Sequence, residues 1–159
     1  MGSSHLHSYT AEVTWTGNRG EGTRGYRSYG REHTIGVAGK PPIPGSADPA
    51  FLGDAARYNP EDLLVASLSS CHMLWYLHLA AEAGVVVTAY TDAATGSMQA
   101  DAGGGQFTEV VLHPRVTITA GSDAVRAAKV HEDAHHACYI ARSMNFPVRC
   151  EPRIVVETA

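Results

Sequence analysis

A chain of 159 residues that is 44% apolar and 18% charged fits one folded domain with a substantial core, and this excludes an intrinsically disordered segment. A net charge of −4 without any basic cluster excludes a nucleic-acid surface. The most apolar run is punctuated by Ser67, Ser69, Ser70, His72 and His78, short of the ~18 unbroken apolar residues that a membrane span needs.

Met1-Gly-Ser-Ser-His-Leu-His-Ser8 lacks the basic and apolar regions of a secretory signal and reads as a loose polar tail on a single domain over 1–159. From Tyr9 to Trp15 the residues alternate enough for a strand, and Gly17-Asn-Arg-Gly-Glu-Gly22 reads as the turn of a hairpin. Tyr29, Arg31, His33, Ile35 and Val37 fall on one face of a following strand. The Pro-, Gly- and Asp-rich stretch from Lys40 to Tyr58 is a long loop, of a length that is often functional.

The first helix opens at Asn59 as N-cap, with Pro60 at the first helical position and Glu61 and Asp62 against the positive end of its dipole; Gly84 is its stop. Leucines and Trp75 cover most of its circumference, so it is expected to be enclosed on several sides. Val85–Met98 and Phe107–Thr119 are β-branched runs joined by a hairpin at Asp101-Ala-Gly-Gly-Gly105. Ser122 or Asp123 then caps a second helix running to about Ser143, and a last strand puts Val148, Cys150, Ile154 and Val156 on one face. Strands, helix, strands, helix and strand make an α+β class.

Three cysteines, an odd number, in a chain read as cytoplasmic do not form a structural disulfide framework, and they lack the close paired spacing of a zinc site. Cys150 alternates with valine and isoleucine and reads as a small core residue. Cys71 and Cys138 are buried filler by residue type alone, since free cysteine is among the most buried of side chains. Their neighbourhoods favour chemistry instead: Ser67-Leu-Ser-Ser70 precedes the first, and His135, His136, Tyr139 and Arg142 surround the second. His131, His135 and Cys138 at i, i+4 and i+7 offer a metal alternative with ligand types that suit zinc or copper. His72 and His78 read as packing histidines, and no nucleophile-elbow pattern supports a serine hydrolase.

Asn59-Pro-Glu-Asp-Leu-Leu64, with Cys71 ten residues after Glu61 and a second cysteine at 138, strongly resembles the OsmC/Ohr family of osmotically inducible and organic-hydroperoxide-resistance proteins. Cys-His-Met-Leu-Trp75 after the serines resembles its OsmC-like branch. The resemblance implies an OsmC-like fold, with antiparallel sheets packed around a long central buried helix in an intertwined homodimer. It implies a thiol peroxidase that needs no metal or flavin cofactor. Cys71 takes the position of the peroxidatic cysteine, Cys138 that of the resolving one, and Glu61 that of the acidic partner of an active-site arginine. Counting back from Gly30 puts Arg24 at the arginine's position on the return strand of the hairpin, with Arg57 and Arg31 as the other options. Tyr139 departs from the proline that many relatives carry after the second cysteine. The implied partners are a second copy of the chain, a small hydroperoxide and a dithiol reductant, either a dihydrolipoyl protein or a thioredoxin-like donor. The alternative is a non-enzymatic dimer that senses redox state or binds a small molecule or metal.

The chemistry is consistent with those roles. A thiolate attacks an O–O bond, and a guanidinium lowers a thiol's pKa while donating to a carboxylate. On one straight helix Glu61 and Cys71 are separated by about 15 Å of rise and lie on different faces. Either the helix breaks between them or Glu61 serves the Cys71 of a second chain.

Overall fold

The computed structural model describes residues 5–158. Of the tail expected over residues 1–8, the first four lie outside that range, and residues 5–8 are exposed without regular structure. The chain divides into two compact units, one ending at Leu63 and one beginning at Leu64, with the division inside the long helix.

In the first unit, β1 (Glu12–Trp15), β2 (His33–Gly36) and β3 (Ile43–Gly45) form an antiparallel sheet in that order. The hairpin expected at 17–22 is much wider. Glu12 pairs with Gly36 and Trp15 with His33, so the return strand begins at His33 and residues 17–32 form an irregular excursion. Its base is closed by a backbone bond from Gly30 to Gly17 and by the Trp15 indole N–H donating to the Gly30 carbonyl at 2.8 Å. A Cβ on Gly17 would collide with that same carbonyl, so the close crossing requires glycine. Arg24 therefore lies in a loop and not on the return strand. The loop expected over 40–58 contains β3 and a capped turn at Pro49–Phe51, and Ser46 donates to the Tyr58 carbonyl at its end.

Helix α1 (Pro60–Glu82) starts as its sequence dictates. The Asn59 side chain accepts from the Asp62 N–H at 2.7 Å, and the Asp62 carboxylate accepts in return from the Asn59 N–H at 3.3 Å. It ends at Gly84, whose φ of +72° lets Val85 N–H reach back to the Ala80 carbonyl at 2.9 Å. By length and composition alone α1 could cross a bilayer, contrary to the reading of its polar interruptions. Its stripe Leu68, His72, Tyr76 and Ala80 is instead buried against protein. Only that stripe is fully covered within one chain, while Leu74 stays 63% exposed, so the expected enclosure on several sides is not reached by a single copy.

The second unit divides each expected β run in two. β4 (Val87–Asp92) and β7 (Pro114–Ile118) pair antiparallel, and β5 (Thr95–Asp101) and β6 (Gly104–Leu112) form the expected hairpin in a different sheet. Asp92 fills the gap at the break, its carboxylate accepting from the His113 N–H at 2.7 Å and from the Ser69 hydroxyl at 2.6 Å. The closing strand likewise splits at Glu151-Pro152, where proline has no N–H to continue a ladder. β8 (Val148–Cys150) adds parallel to β6 and β9 (Arg153–Val156) parallel to β7. The α+β class holds, with two of the three sheets mixed.

Helix α2 (Ala124–Ala137) is capped by Asp123, which accepts from the Val125 and Arg126 N–H groups. It stops six residues before the expected Ser143, because Cys138 turns extended at ψ 109° as its C-cap. One core cluster joins Tyr76 and Ala80 of α1 to Val116 and Ile118 of β7 and to Ala127, Val130 and Ala134 of α2. A second joins Leu68 to Val110, Leu112 and Val148. The Tyr76 hydroxyl donates to the Ala127 carbonyl at 3.1 Å, and burial pushes its pKa up to about 12. Tyr76→Phe removes this bond while keeping the packing, so it is expected to lower unfolding stability by about 1 kcal/mol in denaturant titration.

Candidate functional site

The two thiols named from the sequence, 67 residues apart in the chain, are neighbours in the fold. Cys71 is half-buried on α1, and Cys138 is 1% exposed at the end of α2, close enough for the Cys71 thiol to raise the Cys138 pKa. Two local decisions bring this about. Leu68 and His72 in the buried stripe of α1 fix the orientation that leaves Cys71 half-covered beside them. The extended turn at Cys138 directs its sulfur inward, where it accepts from the Ala141 N–H at 3.5 Å. Burial, together with the adjacent Cys71 thiol, pushes the Cys138 pKa up to about 11, partly offset by the Ala141 N–H. Cys138 is therefore a neutral thiol at neutral pH.

Trp75, one turn along α1 from Cys71, meets Tyr139 edge-to-face with ring centroids 5.4 Å apart. Leu68 is sealed in the core, whereas Leu64 and Trp75 are half-buried and Tyr139 is exposed. The serines before Cys71 serve other ends: Ser67 and Ser70 donate to the carbonyls of Leu64 and Ser67, and Ser69 to Asp92. Their polarity belongs to the helix and to the sheet break, not to the thiol.

In the first unit Glu61 shares a cleft of about 360 Å³ with Arg31, His33 and Asp48. Arg31 is firmly held, donating to the carbonyls of Tyr29 at 2.6 Å and Tyr26 at 2.7 Å, with its guanidinium over both rings. Arg57 pairs with Asp54 at 3.4 Å. Arg24 is exposed, with no ion pair or hydrogen bond among the described residues.

The comparisons with known proteins bear on this arrangement. Residues 53–153 match the family described as OsmC-like protein. The chain belongs to the OsmC-like family. An OsmC-like protein of unknown function from Vibrio cholerae is 35% identical, with 92% of this chain and 99% of that one aligned at a TM-score of 0.84. An organic hydroperoxide resistance protein OsmC from Legionella pneumophila, 17% identical, aligns over 96% of this chain and 100% of its own at a TM-score of 0.70. An organic hydroperoxide resistance protein from Elizabethkingia anophelis, 19% identical, aligns over 98% and 100% at 0.69. These last two likenesses concern the fold. No curated protein matches.

A second cluster in this OsmC-like chain was not foreseen. His72 Nε2 and His131 Nδ1 are 3.0 Å apart, and Cys150 Sγ lies 3.6 Å from the first and 3.8 Å from the second. Cys150 is thus not simple core filler: it faces two imidazoles and borders a cleft of about 480 Å³ that also reaches His131, Glu132, His135 and His136. The His131 ring lies against Tyr76 at 4.0 Å between centroids, and its Nε2 is buried without a hydrogen-bond partner. Burial, and secondarily His135, lowers the His72 pKa to about 4 despite the opposing Asp92. Burial and His72 lower that of His131 to about 3. Burial, Asp92 and Glu151 raise that of Cys150 to about 12.

The sequence signal for this cluster was weak, because His72, His131 and Cys150 come from a helix, a second helix and a strand. The early end of α2 also removes Cys138 from the helical face expected to carry His131 and His135, and His131 turns to His72 instead. His78 is exposed rather than part of the core; its ring packs edge-on against Trp75 at 5.8 Å and pairs with Glu82 at 3.6 Å.

Proposed function

We propose that this OsmC-like protein is a cysteine-based thiol peroxidase that reduces organic hydroperoxides. The observation that carries the reading is the proximity of a half-buried Cys71 to a buried, protonated Cys138 whose pKa it raises. Cys71 thiolate attacks the terminal oxygen of ROOH, and a proton reaches the departing alkoxide, giving Cys71 sulfenic acid and ROH. Cys138 displaces water from the sulfenic acid to close a disulfide. A dithiol, dihydrolipoyl or thioredoxin-like, then opens the bridge by two exchange steps and leaves as its own disulfide. Trp75 and Tyr139 favour an apolar R group. The expected setting is the reducing cytoplasm.

A thiol held at a pKa of about 11 is a slow nucleophile at neutral pH, so closure should quicken as the medium becomes more alkaline. Rapid-mixing of reduced protein with one equivalent of cumene hydroperoxide is expected to show disulfide formation accelerating by about tenfold per pH unit between 7 and 9. A pH-independent second phase would remove Cys138 from the resolving role.

Helix α1 runs unbroken from Pro60 to Glu82, which supports a second chain as the route by which Glu61 serves a thiolate. In the proposed homodimer, Glu61 and a guanidinium from one copy act on Cys71 of the other, and the exposed Leu74 lies on the helix that the partner covers. Among the three arginines Arg31 is favoured, because it lines one cleft with Glu61 and is pre-oriented by Tyr26 and Tyr29. Co-expressing Glu61→Ala with Cys71→Ser chains tests the sharing. Each heterodimer then keeps one intact site, and turnover should return to about half the parental value per heterodimer. Two inactive parents that stay inactive when mixed would exclude the shared site.

A further inference from the structure

We propose that His72, His131 and Cys150 form a binding site for a divalent transition metal of the zinc type, separate from the Cys71–Cys138 pair. The three ligand atoms all lie within 4.8 Å of one another. A tetrahedral zinc ion with bonds of about 2.0–2.1 Å to nitrogen and 2.3 Å to sulfur separates its ligand atoms by roughly 3.3–3.6 Å. The observed separations of 3.0, 3.6 and 3.8 Å require only a few tenths of an ångström of adjustment, chiefly an opening of the imidazole pair. His131 can make that adjustment, because no hydrogen bond holds its second nitrogen while Tyr76 supports its face.

A purely hydrogen-bonded cluster accounts for these atoms less well. The imidazole pair shares one proton along its 3.0 Å contact, which uses the facing lone pair of the acceptor nitrogen. Cys150 Sγ, 3.6 and 3.8 Å from the two nitrogens, then finds no free nitrogen lone pair to donate to and can only share the one N–H already engaged between the rings. An ion removes the conflict. Cys150 S–H gives up its proton, and the thiolate and the two neutral imidazoles each donate an electron pair to the metal. The product is a singly positive His2Cys–zinc unit plus one released proton. The Asp92 carboxylate, held by Ser69 and His113, is close enough to act on both His72 and Cys150 and balances that added charge.

Two imidazoles and one thiolate suit zinc or copper(II) and leave a fourth position open. The cleft that reaches His131 and Cys150 gives the ion a way in, and Glu132 and Glu151 on its walls are further donors. The ion ties α1, α2 and β8 together in the second unit.

The test uses the full chain carrying Cys71→Ser and Cys138→Ser, so that the only thiol left is Cys150 and a failure of the peroxidase reading has no bearing on the result. The chelator-stripped, reduced protein is titrated with Zn²⁺ against a chromophoric chelator, and with Co²⁺ by absorption spectroscopy. The expected result is one zinc per chain, one proton released per zinc, and a thiolate-to-cobalt charge-transfer band with the intense visible bands of a tetrahedral site. Adding Cys150→Ser or His131→Gln is expected to weaken zinc binding by on the order of a hundredfold or more, while His135→Ala with His136→Ala leaves it unchanged. Should the first two variants fail to fold, judged by near-ultraviolet circular dichroism, the cobalt spectrum and proton count of the parent decide. No uptake, or uptake without a thiolate band or proton release, overturns the proposal.

Discussion

Cys71→Ser is expected to abolish hydroperoxide consumption, with a loss on the order of a thousandfold or more, in an assay of cumene hydroperoxide with a reduced lipoyl dithiol. Serine keeps the size of the side chain and its place beside Cys138 but cannot form the anion that attacks oxygen at neutral pH. Cys138→Ser should behave differently. The first equivalent of peroxide is still reduced, because the attacking sulfur is intact, but no intramolecular disulfide can follow. Cys71 then accumulates as sulfenic acid, trappable by dimedone, and advances to the sulfinic form under excess peroxide. Arg31→Ala should slow the first step, since a guanidinium beside the sulfur stabilises the charge of the attacking anion, whereas Arg24→Ala leaves it near the parental rate. Equal rates of peroxide loss in the parent and Cys71→Ser would end the peroxidase reading. The family alternative, a redox sensor or small-molecule carrier, would then stand.

The buried imidazoles should make the metal-free protein sensitive to mild acid. The unfolded chain binds protons on histidine near pH 6.5, but the folded chain holds His72 and His131 neutral until about pH 4 and 3. Because both folded values are depressed, the unfolded state takes up protons first as pH falls. The stability present above pH 6.5 is therefore lost progressively from there down towards the folded values. The loss is about 2 kcal/mol for each imidazole between pH 6.5 and 5, a range in which ordinary carboxylates have scarcely begun to titrate. Denaturant melts across that range measure it. His131→Phe keeps a flat ring against Tyr76 and removes one titrating group, so its slope should be about half as steep. Parallel profiles for parent and variant would mean that the pair is not neutral in the folded chain.

Local instructions were written plainly in the chain. Asn59, Pro60 and Asp62 start α1, Gly84 stops it, Asp123 starts α2, and Gly104 with its neighbours turns the β5–β6 hairpin. Each depends on residues within a few positions of one another, so a pattern of residue types suffices. The spacing of Glu61, Cys71 and Cys138 likewise carried the family and two of the candidate site residues.

Other features depended on partners far away in the chain. The long β runs were divided because Asp92 bonds to His113 and Ser69, and because Pro152 interrupts the last strand. No local propensity records those bonds. Cys150 looked like one more small core residue, yet sheet pairing of β8 with β6 carries it to His72 and His131. Periodicity reports which face of an element is apolar; which side chains from three separate elements converge is settled by packing and sheet pairing. The sequence alone therefore determined the family, the element order and the candidate thiols. Only the tertiary structure decided that those thiols are neighbours, that Arg31 shares a cleft with Glu61, and that a second thiol stands among buried imidazoles.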